Sequence, residues 1–225
     1  MERLNAVLPI RDIFSRVILN CCGQSALETD VLAGEDVVGR VSVPGNGRED
    51  PAVRAEAEYI NTVIAGELTG ENIFDQERID GILSQFERRS ETLFCVSAAA
   101  ASAAAAALKL PLYRYLGGVR ATRLPVPEIR LTEENPDPGF HVRVGQTATL
   151  GELSGQIRKA QAERIPVIFC CSEGETADTL LTDLAVAYGA DRIDAGPARH
   201  MEYVEKYNRL LRIREKLEMQ LTEEK

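Results

Sequence analysis

Between Cys170 and Asp194 the chain concentrates groups able to do chemistry. It has adjacent thiols at Cys170 and Cys171, a hydroxyl at Ser172, and carboxylates at Glu173, Glu175, Asp178, Asp183, Asp191 and Asp194. Two chemistries follow from these residue types. Cys171 becomes a nucleophile if a base or a cation holds it as the thiolate. The histidines, His141 and His200, are the available imidazoles, and the sequence places neither beside it. Asp178, Asp183, Asp191 and Asp194 supply the oxygen ligands that a hard cation takes. The reading adopted for both groups is the structural one: inert, partly buried thiols, with Asp178 and Asp183 as helix-surface or first-turn charges. His141 reads as a satisfied strand residue. Arg143 is able to hold an anion without doing chemistry.

These residues need a scaffold, and the hydrophobic patterning supplies one. Ile10 to Leu19 reads as a strand, and Leu27 to Leu32 alternates before the turn at Ala33-Gly-Glu-Asp36. Val37 to Val43 returns and ends at Pro44-Gly-Asn-Gly47, which gives a small antiparallel meander. Pro51 marks a helix start, and Val53 to Leu68 keeps helical spacing. A second helix is expected from Asp75 to about Glu87. A third is capped by Ser90 and contains the run Ala98 to Ala107. Small side chains let neighbouring backbones approach, so this run predicts a buried helix. Further on, a helix over 150–164 is expected, then a strand from Pro166 to Cys171. Another helix runs from Glu175 to Tyr188, a short strand lies near Arg192-Ile-Asp194, and a last helix spans about Arg199 to Leu221. The apolar run Val167 to Cys171 fits a buried parallel strand. Val204, Tyr207, Leu210, Leu211 and Leu217 are read as the apolar face of the last helix.

Bulk properties narrow the function classes. A chain of 225 residues, 44% hydrophobic and 27% charged, has the composition of a globular protein with a core of useful size. A net charge of −9 repels phosphate backbones, so no nucleic-acid partner is expected. No apolar run approaches the ~20 residues that span a bilayer, so no membrane association is expected. The opening Met1-Glu-Arg-Leu-Asn-Ala lacks the apolar segment of a secretory signal. The five cysteines, at 21, 22, 95, 170 and 171, lack zinc-site spacing and read as reduced thiols of a cytoplasmic protein.

The order of several motifs then carries a resemblance. Asp30-Val-Leu32 with Val41-Ser-Val-Pro44, Asp75-Gln76 and Ile79-Asp80, and the small-residue helix come first. Pro111-Leu-Tyr-Arg-Tyr-Leu-Gly-Gly118 and Leu124-Pro-Val-Pro127 follow. In this order they resemble the N-terminal domain of enolase and its entry into the barrel. His141 to Thr149 is similar to the sixth barrel strand. Ser172-Glu-Gly-Glu-Thr-Ala-Asp178, Asp183 to Ala187, Asp191 to Gly196 and Lys206 to Ile213 resemble the enolase C-terminal end. The resemblance implies an α/β protein. Residues 1–122 would form an α+β N-terminal domain of β-meander plus helices. Residues 123–225 would form a partial (β/α) barrel of about four parallel strands: the first, then a connector over 132–139, then strands six to eight. Enolases carry a long stretch of barrel where this connector stands. An open four-stranded sheet would keep helices on one face and leave the other bare unless something covers it.

Enolases are Mg-dependent lyases, phosphopyruvate hydratases, that interconvert 2-phosphoglycerate and phosphoenolpyruvate in glycolysis. The family uses a lysine base, a general-acid glutamate and Mg²⁺ on an enediolate. Position by position the resemblance implies that this site is lost. Arg143 stands where the lysine base is, and a guanidinium stays protonated. Asp194 replaces the second lysine. Cys171 and Ser172 replace a histidine and a phosphate-gripping arginine, and Glu173 replaces a serine. Gly45-Asn-Gly47 replaces a serine-containing mobile loop. The metal-binding carboxylates and the general acid belong to the absent stretch, so no cofactor is expected, with Mg²⁺ only if lyase activity persists. The matching positions of a family dimer contact are Glu28 and Arg212. The expectation is therefore a pseudoenzyme acting as a dimerising or regulatory partner, as a homodimer or with a full-length enolase. The rival is a lyase of residual or altered activity.

Overall fold

A computed structural model describes residues 7–45, 47, 50–128 and 138–223. The chain opens with a three-stranded antiparallel meander, β1 (Ile10–Leu19), β2 (Ser25–Ala33) and β3 (Val37–Val43), ordered β1-β2-β3. Its register pairs Val17 with Leu27 and Thr29 with Val41. Alternation therefore puts Ile13, Leu27, Val31 and Val41 on the buried face. Phe14, Arg16, Glu28, Asp30 and Arg40 fall on the other.

Helices α1 (Asp50–Tyr59) and α2 (Ala65–Leu68) are joined by a π turn, Ile60–Ile64. The turn presents Asn61 to the outer edge of β1. Its Oδ1 accepts from Ser15 N–H at 2.6 Å and its Nδ2 donates to Ser15 O at 3.0 Å. An exposed strand edge is thereby blunted.

Helix α3 (Gln76–Leu83) ends earlier than expected, because Ser84, Gln85 and Phe86 tighten into turns on Asp80, Ile82 and Leu83. Helix α4 (Ser90–Ala107) carries the alanine run, and Ala98 to Ala101 and Ala103 to Ala105 are buried. Ser90 does not cap it as expected. Its hydroxyl donates instead to Gly145 O at 2.8 Å, tying the helix start to the C-terminal part of the chain. By length and composition α4 is apolar enough to cross a bilayer, which the reading of apolar runs missed. Most of it is buried within the protein, where its small side chains receive β3. Helix α5 (Leu112–Gly117) follows.

The second sheet is parallel and ordered β4-β7-β6-β5, from β4 (Val126–Pro127), β5 (Phe140–Val142), β6 (Val167–Cys170) and β7 (Arg192–Asp194). Among the described residues this is the expected arrangement of four barrel strands, where a closed TIM barrel has eight. Most of the expected connector over 132–139 lies outside the described residues. All four residues of β6 are buried, Ile168 and Cys170 as well as Val167 and Phe169. The second face is therefore covered at the central strand.

Helices α6 (Leu150–Ala162), α7 (Leu180–Ala187) and α8 (Met201–Glu223) complete the fold. Thr149 caps α6 through Glu152 N. The next two amides are taken by α4 and α3: Leu150 N donates to Ser97 Oγ at 3.0 Å and Gly151 N to Asp80 Oδ2 at 2.8 Å. Asp80 also accepts from Ser97 Oγ and Gln76 Nε2. One buried carboxylate thus joins α3, α4 and α6.

Helix α7 starts at Leu180 and not at Glu175. Residues before it form a loop held by side chains: Glu175 binds Ser172 N, and Asp178 Oδ1 accepts from Leu180 N at 2.7 Å. The buried stripe of α8 is Lys206, Leu210, Ile213 and Leu217, at the i, i+4, i+7 spacing of one face. Val204 is only half-buried and Leu211 is exposed, contrary to the expected face.

Candidate functional site

The C-terminal ends of the parallel strands are where α/β sheets bind ligands. Here β5 delivers Arg143, β6 delivers Cys171, Ser172 and Glu173, and β7 delivers Asp194. A backbone bond from Cys171 N to Asp194 O at 2.8 Å keeps β6 and β7 together at that end. Arg143 is exposed, and its backbone N–H donates to Gln146 Oε1. Glu173 is exposed. Asp194 Oδ1 accepts from Gly196 N at 3.2 Å within its own turn.

Cys171 is half-buried. Burial first, then the Glu175 and Asp194 carboxylates, push its thiol up to about 12. A thiol held this firmly protonated is neither a base nor an activated nucleophile. His141 Nδ1 lies 3.2 Å from Cys170 Sγ, the sulfur next to Cys171 in sequence. His200 stacks edge-on with Tyr203. The inert reading of these thiols agrees with this geometry.

The four aspartates do not converge. Asp178 Oδ2 accepts from Ser42 N at 2.7 Å, joining β3 to the loop before α7. Burial raises its carboxyl above the ordinary range, and the Ser42 and Leu180 amides oppose that shift. Asp183 is buried and takes two bonds from Arg209, at 2.6 and 2.8 Å, and one from Tyr113 N. Asp191 accepts from Val167 N and Arg123. Asp183 stands in the first turn of α7 as expected, although buried, and Asp178 lies before the helix; both fasten the structure. Among the described residues no set of three His, Cys, Asp or Glu side chains gathers for a metal.

Two residues at the heart of the region had no role assigned from sequence. Lys206 Nζ and Glu175 Oε2 form an ion pair of 3.0 Å with both side chains almost fully buried. Lys206 also donates to Thr176 O at 2.9 Å and Glu202 O at 3.1 Å. The available signal was a lysine four residues before Leu210 on an apolar stripe. Tyr207 adds a fastening, its hydroxyl within hydrogen-bond reach of Glu128 O at 2.8 Å and Gly196 O at 2.9 Å. Gly45 N lies 3.3 Å from Gly174 O, so the turn after β3 rests on the same loop. Asn46 lies outside the described residues.

Residues 133–222 match the family model of the enolase C-terminal TIM barrel domain. This part of the chain is similar to that domain. The enolase-like stretch contains β5, β6, β7 and the three helices α6, α7 and α8. A complete barrel of this kind takes about 250 residues, so the enolase-like sheet is a partial barrel.

The positions matching the enolase dimer contact lie far apart in the sequence. Glu28, on the outer face of the meander, is held by Arg16 and Arg40 of the same chain. Arg212, on α8, pairs with Glu205 at 3.1 Å. Asp30 completes the meander cluster, bound by Arg40 at 2.6 and 2.8 Å and by Arg16. Arg40 first, and Arg16 with it, hold the Asp30 carboxyl below the ordinary range. The unfolded state then binds the Asp30 proton at higher pH than the folded state. The stability so gained is present above the ordinary carboxylate value and is lost as pH falls through the lowered folded one. Asp30→Asn is expected to flatten the acid limb of stability against pH, read from urea midpoints over a pH series.

A cavity of about 280 Å³ opens between the meander and α7, lined by Arg40, Ser102, Leu112, Asp178, Asp183 and Arg209. Its charges are committed, Arg40 to Asp30 and Arg209 to Asp183.

Proposed function

We propose that this enolase-like chain lacks phosphopyruvate hydratase activity and acts by association, as a homodimer or as a partner of a full-length enolase. One observation carries the reading. The strand ends that bear the family's proton-transfer groups here carry Arg143, a thiol at Cys171 pushed up to about 12, and Asp194 bound to its own turn. Glu173, exposed beside them, places a negative charge where a phosphate has to sit. None of these groups can take a proton from carbon next to a carboxylate while stabilising the growing charge.

The frame around the lost site is retained through Glu175–Lys206, Asp183–Arg209 and Tyr207. A protein that keeps its frame and drops its chemistry fits a binding role. The outer face of the meander supports association. Phe14 and Val38 are about half exposed there, beside the Glu28 cluster. Single ion pairs contribute little, so apolar area of this kind must supply most of the binding.

Mass in solution tests the reading, measured for the chain alone and mixed with a full-length enolase. A dimer, or a mixed complex, is expected at micromolar concentration. A monomer in both samples refutes the association role.

A further inference from the structure

We propose that Cys21 and Cys22 form a reversible oxidation site, and that closing them into a disulfide releases the β1–β2 turn from the loop of residues 172–178. The two sulfurs stand 3.7 Å apart and both residues are exposed. Cys95 and Cys170 are buried and Cys171 is half-buried, so an oxidant in solution meets this pair first. Burial first, and Cys22 with it, push the Cys21 thiol up to about 11, so Cys22 attacks the oxidant and Cys21 closes the ring.

The turn that presents the pair is built on Asn20. Its side-chain oxygen accepts from Cys22 N at 2.9 Å and Gln24 N at 2.8 Å, and its carbonyl accepts from Gly23 N at 3.0 Å. Gly23 sits at φ 70°, a conformation that glycine adopts without a steric penalty. Cys21 N donates to Glu175 O at 2.9 Å. The thiol pair is therefore one hydrogen bond from the residue whose carboxylate meets Lys206 inside the protein.

The reaction balances simply. Two thiols give up two electrons and two protons and an S–S bond forms. A peroxide accepts them and leaves as water, or a low-molecular-weight disulfide accepts them and leaves as two thiols. Geometry makes the product a lever. Consecutive Cα atoms are ~3.8 Å apart across a trans peptide, closer than the ~4.4 Å lower limit of ordinary disulfides. Closing the ring forces the Cys21–Cys22 peptide to turn. The bond from Cys22 N to Asn20 Oδ1 is lost, and Cys21 shifts away from Glu175 O. A strained disulfide is also readily reduced, which places this pair in the labile, regulatory class.

The test uses the full chain treated with diamide, alkylated after denaturation, and mapped by mass spectrometry. Loss of two hydrogens confined to the peptide holding Cys21 and Cys22, reversed by dithiothreitol and absent in Cys22→Ser, is expected. Amide exchange across 172–178 is expected to quicken several-fold in the oxidised wild type and to stay unchanged in diamide-treated Cys22→Ser. The proposal is overturned if both thiols remain free to alkylate, or if Cys21 joins a different cysteine. It is overturned equally if the vicinal disulfide forms and exchange across 172–178 does not change.

Discussion

Lys206→Met lowers the unfolding free energy by about 3–5 kcal/mol, the range found when one partner of a buried ion pair is removed. The ammonium of Lys206 is almost wholly enclosed, and so is the Glu175 carboxylate it meets at 3.0 Å. Removing it leaves that charge in the interior and strips a donor from Thr176 O and Glu202 O. The methionine side chain fills similar volume, so the loss reports the charge and not a cavity. Urea unfolding measures it as a lower midpoint at unchanged slope. A second variant fixes the interpretation. Glu175→Gln combined with Lys206→Met removes both charges and recovers a large part of the loss. If Lys206→Met unfolds within ~1 kcal/mol of wild type, the pair is not what holds the 172–178 loop to α8.

The second large effect lies between the meander and α4. Gly39→Ala is expected to cost about 3 kcal/mol, at the upper end for overpacking. Gly39 lies in β3 over the alanine run of α4, and a β-carbon there would stand 2.1 Å from Ala103 N and 2.2 Å from Ala99 O. Those atoms are backbone, so no rotamer change relieves the contact. The helix must move off the sheet, and the buried alanines then lose their partners. This gives the prediction a discriminating companion: Ala103→Gly does not rescue Gly39→Ala, because the clash is not with the alanine methyl. Rescue would show that the close approach is between side chains, and that the alanine run has another purpose.

How much was legible in the sequence depended on whether the cause was local. The expected limits of β1, Ile10 and Leu19, are those observed, and the meander followed from alternation and turn residues. The alanine run was correctly read as a buried helix because only small side chains permit the approach seen at Gly39. Four parallel strands were recovered from short apolar runs and the enolase resemblance. The misses share a non-local origin. The expected start of α7 at Glu175 gives way to Leu180, because Lys206, from a helix about thirty residues later, draws Glu175 inward. Ser90 had the right identity for a cap, and Gly145 took its hydroxyl. The expected face of α8 through Val204 and Leu211 counts apolar residues alone and so leaves out Lys206. Once Lys206 is known to be buried, the stripe through Leu210, Ile213 and Leu217 follows. At the strand ends the types of Arg143, Cys171 and Asp194 were plain, but the state of the Cys171 thiol depends on burial and on Glu175 and Asp194 nearby.

The central proposal is an enolase-like frame without enolase chemistry. The most direct test supplies the purified chain with Mg²⁺ and 2-phosphoglycerate and follows phosphoenolpyruvate. The predicted result is no formation above the rate without protein, in the wild type and in Arg143→Ala alike. Turnover at enzyme-like rates that disappears in Arg143→Ala would contradict the account.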